Sequence, residues 1–365
     1  MAPIATLEPV ARPRGGHAAG AVVGEPGEST RPVSASDRYG AAVVDRFPIA
    51  ALRGTTGLPV CSPHPLPSGQ QHRLWRLLLA DAPRSSVVLR VALAGGTDSL
   101  AGEARLHRHL REHGIDCPLV LPSQHGLWVR HVTATSGRSY PALLLSFVPG
   151  THPQRQGDWW RVGQVLARLH ALDPPAGMRP DPQRDAGALG RPRLPEPVRR
   201  AADQRLLTIP GRVDGWDGPV TVGLCHGDPT PSNVLIEGSS AFVLDLERAR
   251  VGWTLYDLAI ALFGAAAHSV GESGAWAAAG ELLAGYRSGR ALSPAEVDLL
   301  PVLAAYVGLH EARWRFQAPA GYRRPPSWRR CLALAARWQA RPLDLPAVGR
   351  ARCGVSGEGG RHGYR

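Results

Sequence analysis

"LCHGDPTPSNVLIEGSSAFVLDLE", residues 224–247, sets a histidine, several acids and an asparagine around two short apolar runs, with two prolines between them. Asn233 to Ile236 and Ala241 to Leu246 read as short β-strands, and Glu237-Gly238-Ser239-Ser240 as the turn joining them. This makes a hairpin with polar groups at its entrance and exit. Pro229 and Pro231 restrict the entry loop, so that Asp228 and Asn233 are held in place.

Outward from the hairpin, strand and helix signals segregate. On the N-terminal side, His72–Asp81 and Ser85–Leu93 alternate as strands around a turn at Ala82-Pro83-Arg84, and Ser99–Gly114 has helical apolar spacing ending in glycine. "GLWVRHV" and "YPALLLSFVPG" supply two more strands, the second closing at Pro149-Gly150. Beyond Gly150 the pattern is helical: Gly157–Leu172, then successive helices from Trp253, one of them opened by Ser293-Pro294 as N-cap and first-turn proline. The stretch from Pro174 to about Arg200 is rich in Pro, Arg and Asp and reads as an insert on the substrate side. The expected organisation is a disordered extension over 1–40, a first lobe over 41–149, a second over 150–345 and a disordered tail over 346–365.

Phosphoryl transfer from ATP requires a carboxylate to orient or deprotonate the attacking hydroxyl, and oxygen ligands to hold magnesium on the phosphates. Asp228 fits the first role; Asn233 and Asp245 fit the second. Glu247 either adds a metal ligand or braces the loop. His226 reads as a backbone partner near the loop, because Asp228 is better placed for the hydroxyl.

"HGDPTPSN" followed by "VLI", a turn and "FVLDLE" resembles the catalytic loop and metal-binding segment of the aminoglycoside phosphotransferase and choline kinase-like superfamily, relatives of the protein kinases. The resemblance implies an α+β, bilobal protein-kinase-like fold: a small antiparallel sheet with one helix, then a larger, mainly helical lobe carrying the catalytic hairpin. It implies ATP and Mg2+ as cofactors and an alcohol as acceptor. By the same resemblance Asp257, in "YDLAIAL", braces the catalytic loop, and the backbone near Ser146 and Val148 meets the adenine. Arg90 in "VVLRV" and Glu103 in "GEARL" stand where relatives often pair a lysine with a glutamate on the phosphates; the alternative is a surface ion pair. Ser68-Gly69-Gln70 would tip the phosphate-covering loop, a weak signal with its single glycine.

Composition narrows the function classes. All 42 basic residues are arginine, so chemistry that needs a lysine amine is excluded from this chain. The net charge of +12 raises nucleic acid as a partner, but no interleaving of aromatic and basic residues supports it. Five scattered cysteines lack zinc spacing and suit a reducing compartment, no run spans a membrane, and the opening residues lack a signal-peptide pattern; the expected location is cytoplasmic. Arginine-rich character in the insert argues against polycationic acceptors and for a neutral or acidic one, either a small hydroxylated molecule or Ser/Thr of an acidic precursor peptide. A pseudokinase that binds ATP without turnover is the rival in which the missing lysine and glycine loop are decisive. Oligomeric state is not legible.

Overall fold

The computed structural model describes residues 46–66, 71–80, 85–94, 96–178, 192–318 and 326–340. The expected disordered ends and Ser68 and Gly69 lie outside them, as does most of the Pro- and Arg-rich insert.

The first lobe is a five-stranded antiparallel sheet in the order β1-β2-β3-β5-β4, from β1 (Val60–Leu66), β2 (His72–Leu79), β3 (Ser86–Ala92), β4 (Val129–Thr133) and β5 (Ser139–Ser146). Alternation along β5 divides its two faces. Ala142 and Leu144 pack with Leu77, Leu89 and Val132 towards α1 (Ile49–Thr56). Leu143 and Leu145 face Leu100 and Ala104 of α2 (Thr97–Glu112). Among the described residues the lobe therefore carries two helices where the sequence leads one to expect a single one; α1 is a short helix of weak amphipathicity whose buried apolar anchor is Leu52, 2% exposed.

α2 also enters the second lobe. Leu106 and Leu110 from its C-terminal half, with Ile115 and Cys117 after it, belong to the large core built by the later helices. Chain connectivity between the lobes runs through Phe147 to Gly150. Thr151 is then clamped to Ile236 by two backbone bonds of 3.0 and 2.7 Å. A Cβ on Gly150 would stand 2.7 Å from the Ile236 carbonyl oxygen, so the crossing admits glycine alone.

The second lobe contains α3 (Asp158–His170), α4 (Glu196–Ala201), α5 (Gln204–Asp214), β6 (Val222–Cys225), the hairpin β7 (Val234–Glu237) and β8 (Ser240–Val243), β9 (Arg250–Trp253), α6 (Thr254–His268), α7 (Gly271–Gly289), α8 (Pro294–Gln317) and α9 (Trp328–Ala340). Ser293 begins α8 with a full capping box: its hydroxyl accepts from the Glu296 amide while the Glu296 carboxylate accepts from the Ser293 amide. α3 and α7 meet glycine to glycine. A Cβ on Gly163 would lie 2.0 Å from the Leu282 carbonyl, and one on Gly285 would lie 2.1 Å from that of Trp160. No described helix is long and apolar enough to cross a membrane.

Candidate active site

The hairpin's loop is built around a glycine that has no substitute. Gly227 sits at φ 87°, and a Cβ there would fall 2.0 Å from the Arg248 carbonyl and 2.5 Å from Arg250 Nη1. The adjoining backbone is held from beneath by Asp257, the fourth residue of α6, whose carboxylate accepts from the His226 amide at 2.6 Å and the Gly227 amide at 2.8 Å. Burial would raise the pKa of Asp257, but the hydrogen bond from His170 and the nearby Arg250 charge hold it below the usual carboxylate range. The His226 ring bridges the two limbs: with Nε2 donating to the Leu244 carbonyl at 2.8 Å, Nδ1 is left to accept the Asp228 amide at 3.3 Å. Desolvation keeps that ring neutral, which this pattern requires.

A buried polar chain runs from this loop to the start of α8. His170 of α3 lies 3.2 Å from Asp257 and 2.8 Å from the Tyr286 hydroxyl. Arg290 donates to that hydroxyl at 2.6 Å and to Glu296 at 3.0 Å. In the sequence His170 reads as a helix-end or core residue; what no local pattern shows is that α7 completes the chain.

Asp228 opens into a cleft of about 660 Å³ between the lobes. Burial, with Glu311, Asp245 and Asp257 nearby, pushes its pKa up to about 6, against the lowering pull of Arg248. Pro231 opens a short 3-10 turn through Asn233 and packs on α6, where a Cβ at Gly264 would be 2.7 Å from its ring. That turn aims Asn233 Nδ2 at the Asp228 carbonyl, 2.9 Å away, and leaves Oδ1 for a cation. Asp245 follows at φ 57°, the one described non-glycine residue in the left-handed region, a conformation held at a cost and concentrated at functional sites.

Arg90 draws the two lobes' charges together. It is 4% exposed, so the surface-pair alternative is corrected: Nη1 bonds Glu103, while Nη2 donates to Asp245 at 2.7 Å and Glu247 at 3.2 Å. Burial opposes its charge, but Glu103 and Asp245 keep its pKa raised. Burial would raise the pKa of Glu103, but the His107 ring 3.8 Å away and the Arg90 guanidinium hold it down, to about 2. Glu247 moves the other way, raised by burial and then by Asp245. Asn233 Oδ1, Asp245 and Glu247 are hard oxygen donors, the set that suits magnesium, and a cation there would take Asp245 and Glu247 from Arg90.

Not every candidate reaches the cleft. Ser146 gives its amide to the Leu119 carbonyl at 2.8 Å while its hydroxyl accepts from the Leu119 amide at 2.9 Å, and Val148 is buried in the link between lobes; neither lines the cleft, nor do Arg90, Asn233 and Asp245, whereas Asp228, Glu103 and Glu247 do. No described part of the Pro- and Arg-rich insert lines it either. Part of the cleft wall comes instead from one face of α8, with Val307, His310, Glu311 and Trp314 at helical spacing, and from Tyr256 and Ile260 of α6. Apolar periodicity marks α8 as a helix and misses this face. The signal for it is a run of charged and aromatic side chains on a helix otherwise rich in Leu, Ala and Val.

Residues 63–292 match the family described as "Phosphotransferase enzyme family". The homoserine kinase of Allorhizobium ampelinum is 30% identical over 212 residues, which cover 54% of this chain and 63% of that protein. That of Gluconacetobacter diazotrophicus is 32% identical over 213 residues, with the same coverage. This chain thus spans less than two thirds of these relatives' length. Among solved structures, a microcompartment-associated aminopropanol kinase superposes with a TM-score of 0.58 at 21% identity, covering 80% of this chain and 95% of that one.

Proposed function

Because the chain belongs to the phosphotransferase enzyme family, we propose that it is an ATP- and Mg2+-dependent kinase that phosphorylates a hydroxyl of a small molecule. The observation that carries this reading is Asp228: a carboxylate on a rigid loop, opening into an interlobe cleft beside an oxygen-donor set, with its pKa raised to about 6. A base of that strength is ionised at neutral pH and still able to take a proton from an alcohol as the phosphate is transferred. Asn233, Asp245 and Glu247 would hold magnesium, which when bound neutralises charge on the nucleotide phosphates. Arg90, relieved of Asp245 and Glu247, would keep Glu103 and turn its other edge to the phosphates; its planar fork can chelate two oxygens. His226 and Asp257 are positioning residues that fix the loop. The names of the relatives support a small alcohol as acceptor, and a cleft of about 660 Å³ is of the size that encloses such a ligand.

The test is transfer of γ-labelled phosphate from Mg-ATP to small-molecule acceptors, with Asp228→Ala as the comparison. The wild-type chain is expected to label an alcohol, and the variant to lose on the order of 10²- to 10⁴-fold in kcat. A correctly folded Asp228→Ala protein that keeps wild-type turnover would remove Asp228 from the reaction.

A further inference from the structure

One nitrogen bridges the two acids assigned to the metal. Arg90 Nη2 lies 2.7 Å from Asp245 Oδ1 and 3.2 Å from Glu247 Oε2, while Nη1 of the same fork is bonded to Glu103. Glu247 Oε2 also has a second donor from the first lobe, His72 Nδ1 at the start of β2, 3.0 Å away. A carboxylate oxygen only accepts, so Nδ1 carries the proton, and its 3.3 Å approach to Arg90 Nη2 is a contact between two donors and no bond. Imidazole and guanidinium thus converge on one oxygen, and Glu247 does not depend on Arg90 alone. His72, Glu103 and Glu247 line the cleft, so a ligand entering there meets this cluster.

The arrangement uses what separates arginine from lysine. An ammonium would bring one nitrogen to three acids; the guanidinium brings two in a fixed plane, one anchored on Glu103 and the other free to change partner. Three carboxylates around one guanidinium attract a further cation, yet a divalent ion arriving alone meets two charge-assisted bonds already made to its ligands. Arg248, the other cation whose charge reaches Glu247, is exposed and makes no bond to it among the described residues.

We propose that Arg90 is an internal cation that closes the metal site until a nucleotide arrives, and that His72 is a positioning residue that keeps Glu247 in place once Arg90 leaves it. This rests on the kinase reading above and adds an order of binding. Phosphate oxygens draw Nη2 off Asp245 and Glu247, Nη1 stays on Glu103, and the divalent ion enters with the nucleotide or after it.

The test counts free Mn2+ by electron paramagnetic resonance as the ion is titrated into the full chain. It is run without nucleotide and with a saturating non-hydrolysable ATP analogue, corrected for the ion that the analogue holds by itself; calorimetry in EDTA measures the analogue alone. Without nucleotide, Arg90→Gln is expected to bind Mn2+ on the order of tenfold more tightly than wild type, and Asp245→Asn in that background to abolish the gain. Arg90→Gln strands the buried Glu103, so Arg90→Gln with Glu103→Gln is measured beside it and should show the same gain. His72→Phe is expected to leave the nucleotide-free chain closed and analogue binding in EDTA unmoved, but to weaken Mn2+ in the analogue complex by about tenfold; His72→Gln, which keeps an N–H, should restore part of it.

Equal Mn2+ affinity in wild type and both Arg90 variants, with the analogue still bound, would make Arg90 a strut between lobes, overturning the closed site and leaving the kinase. A gain in both variants with no binding of the analogue to any form would sustain the closed site and overturn the kinase reading. Equal losses in His72→Phe and His72→Gln would overturn the role of His72. If neither Arg90 variant folds, wild type decides: Mn2+ held as tightly without the analogue as with it would overturn the proposal.

Discussion

At the scale of single residues, the site is defined by what burial does to charge. Asp228 ionises near pH 6 in the folded chain against 3.8 ordinarily, so kcat/KM is expected to rise with pH through a limb near 6 and level off above it. A limb near 4 would show that the base is unperturbed or is another group. The same shift costs stability. Because the native state holds the proton more tightly, folding free energy declines between about pH 4 and 6 and stays lower above, by up to about 3 kcal/mol and less for a partly exposed group. Asp228→Asn should therefore raise the melting temperature at pH 8 and leave it nearly unchanged at pH 4, a difference that calorimetry at the two values would resolve. Most of this site is legible in advance, because His226, Asp228, Asn233 and Asp245 fall within one short stretch whose strand signals and prolines fix their spacing. The cleft-lining residues His310, Glu311 and Trp314 are not: they reach the cleft because α8 packs on α6, and nothing local marks it.

Among elements, period and capping carry the reading and long-range pairing defeats it. β2, β3, β5, the hairpin and helices α2, α3 and α6 to α9 all announce themselves by alternation or by 3.6-residue spacing. β6 and β9 do not. Each is four residues long with an internal glycine, and they exist because Val222 pairs with Trp253 and Cys225 with Arg250 across the whole hairpin. α5 is hidden by Pro210 within it, and its buried Leu206, Ile209 and Val213 keep the helix despite the proline. The glycines of α7 separate two effects that sequence cannot. Nothing lies within 4 Å of the place a Cβ on Gly280 would take, so Gly280→Ala should stabilise by about 0.5–1 kcal/mol through lower unfolded-state entropy. Gly285 abuts the Trp160 backbone, so Gly285→Ala should cost about 1–3 kcal/mol or more by driving α3 from α7. Urea titration of both variants, which make the same chemical change on the same helix, would decide between propensity and contact.

For the whole molecule, the charge that composition reports is distributed by function: Arg90 is committed between the lobes, whereas arginines such as Arg199 and Arg200 face solvent. Because Arg90 joins Glu103 of the first lobe to Asp245 and Glu247 of the second, Arg90→Gln should loosen the pair of lobes as well as weaken nucleotide binding. Faster hydrogen exchange in β3 and in the 246–248 segment, with a raised KM for ATP, is the expected result; unchanged exchange would mean that the sheet and α2 suffice. The expected boundary between residues 149 and 150 follows the covalent chain, but the hydrophobic core ignores it, since Leu106, Leu110, Ile115 and Cys117 lie in the second lobe's core. A fragment beginning at Gly150 should accordingly show no cooperative transition in a thermal melt. Gly150 and Thr151 are pinned against Ile236, so the link between lobes is the stiffest place in the connection. If the two lobes move against one another, residues 150 and 151 are not the joint, and the movement would have to be taken up where the five-stranded sheet packs on α2.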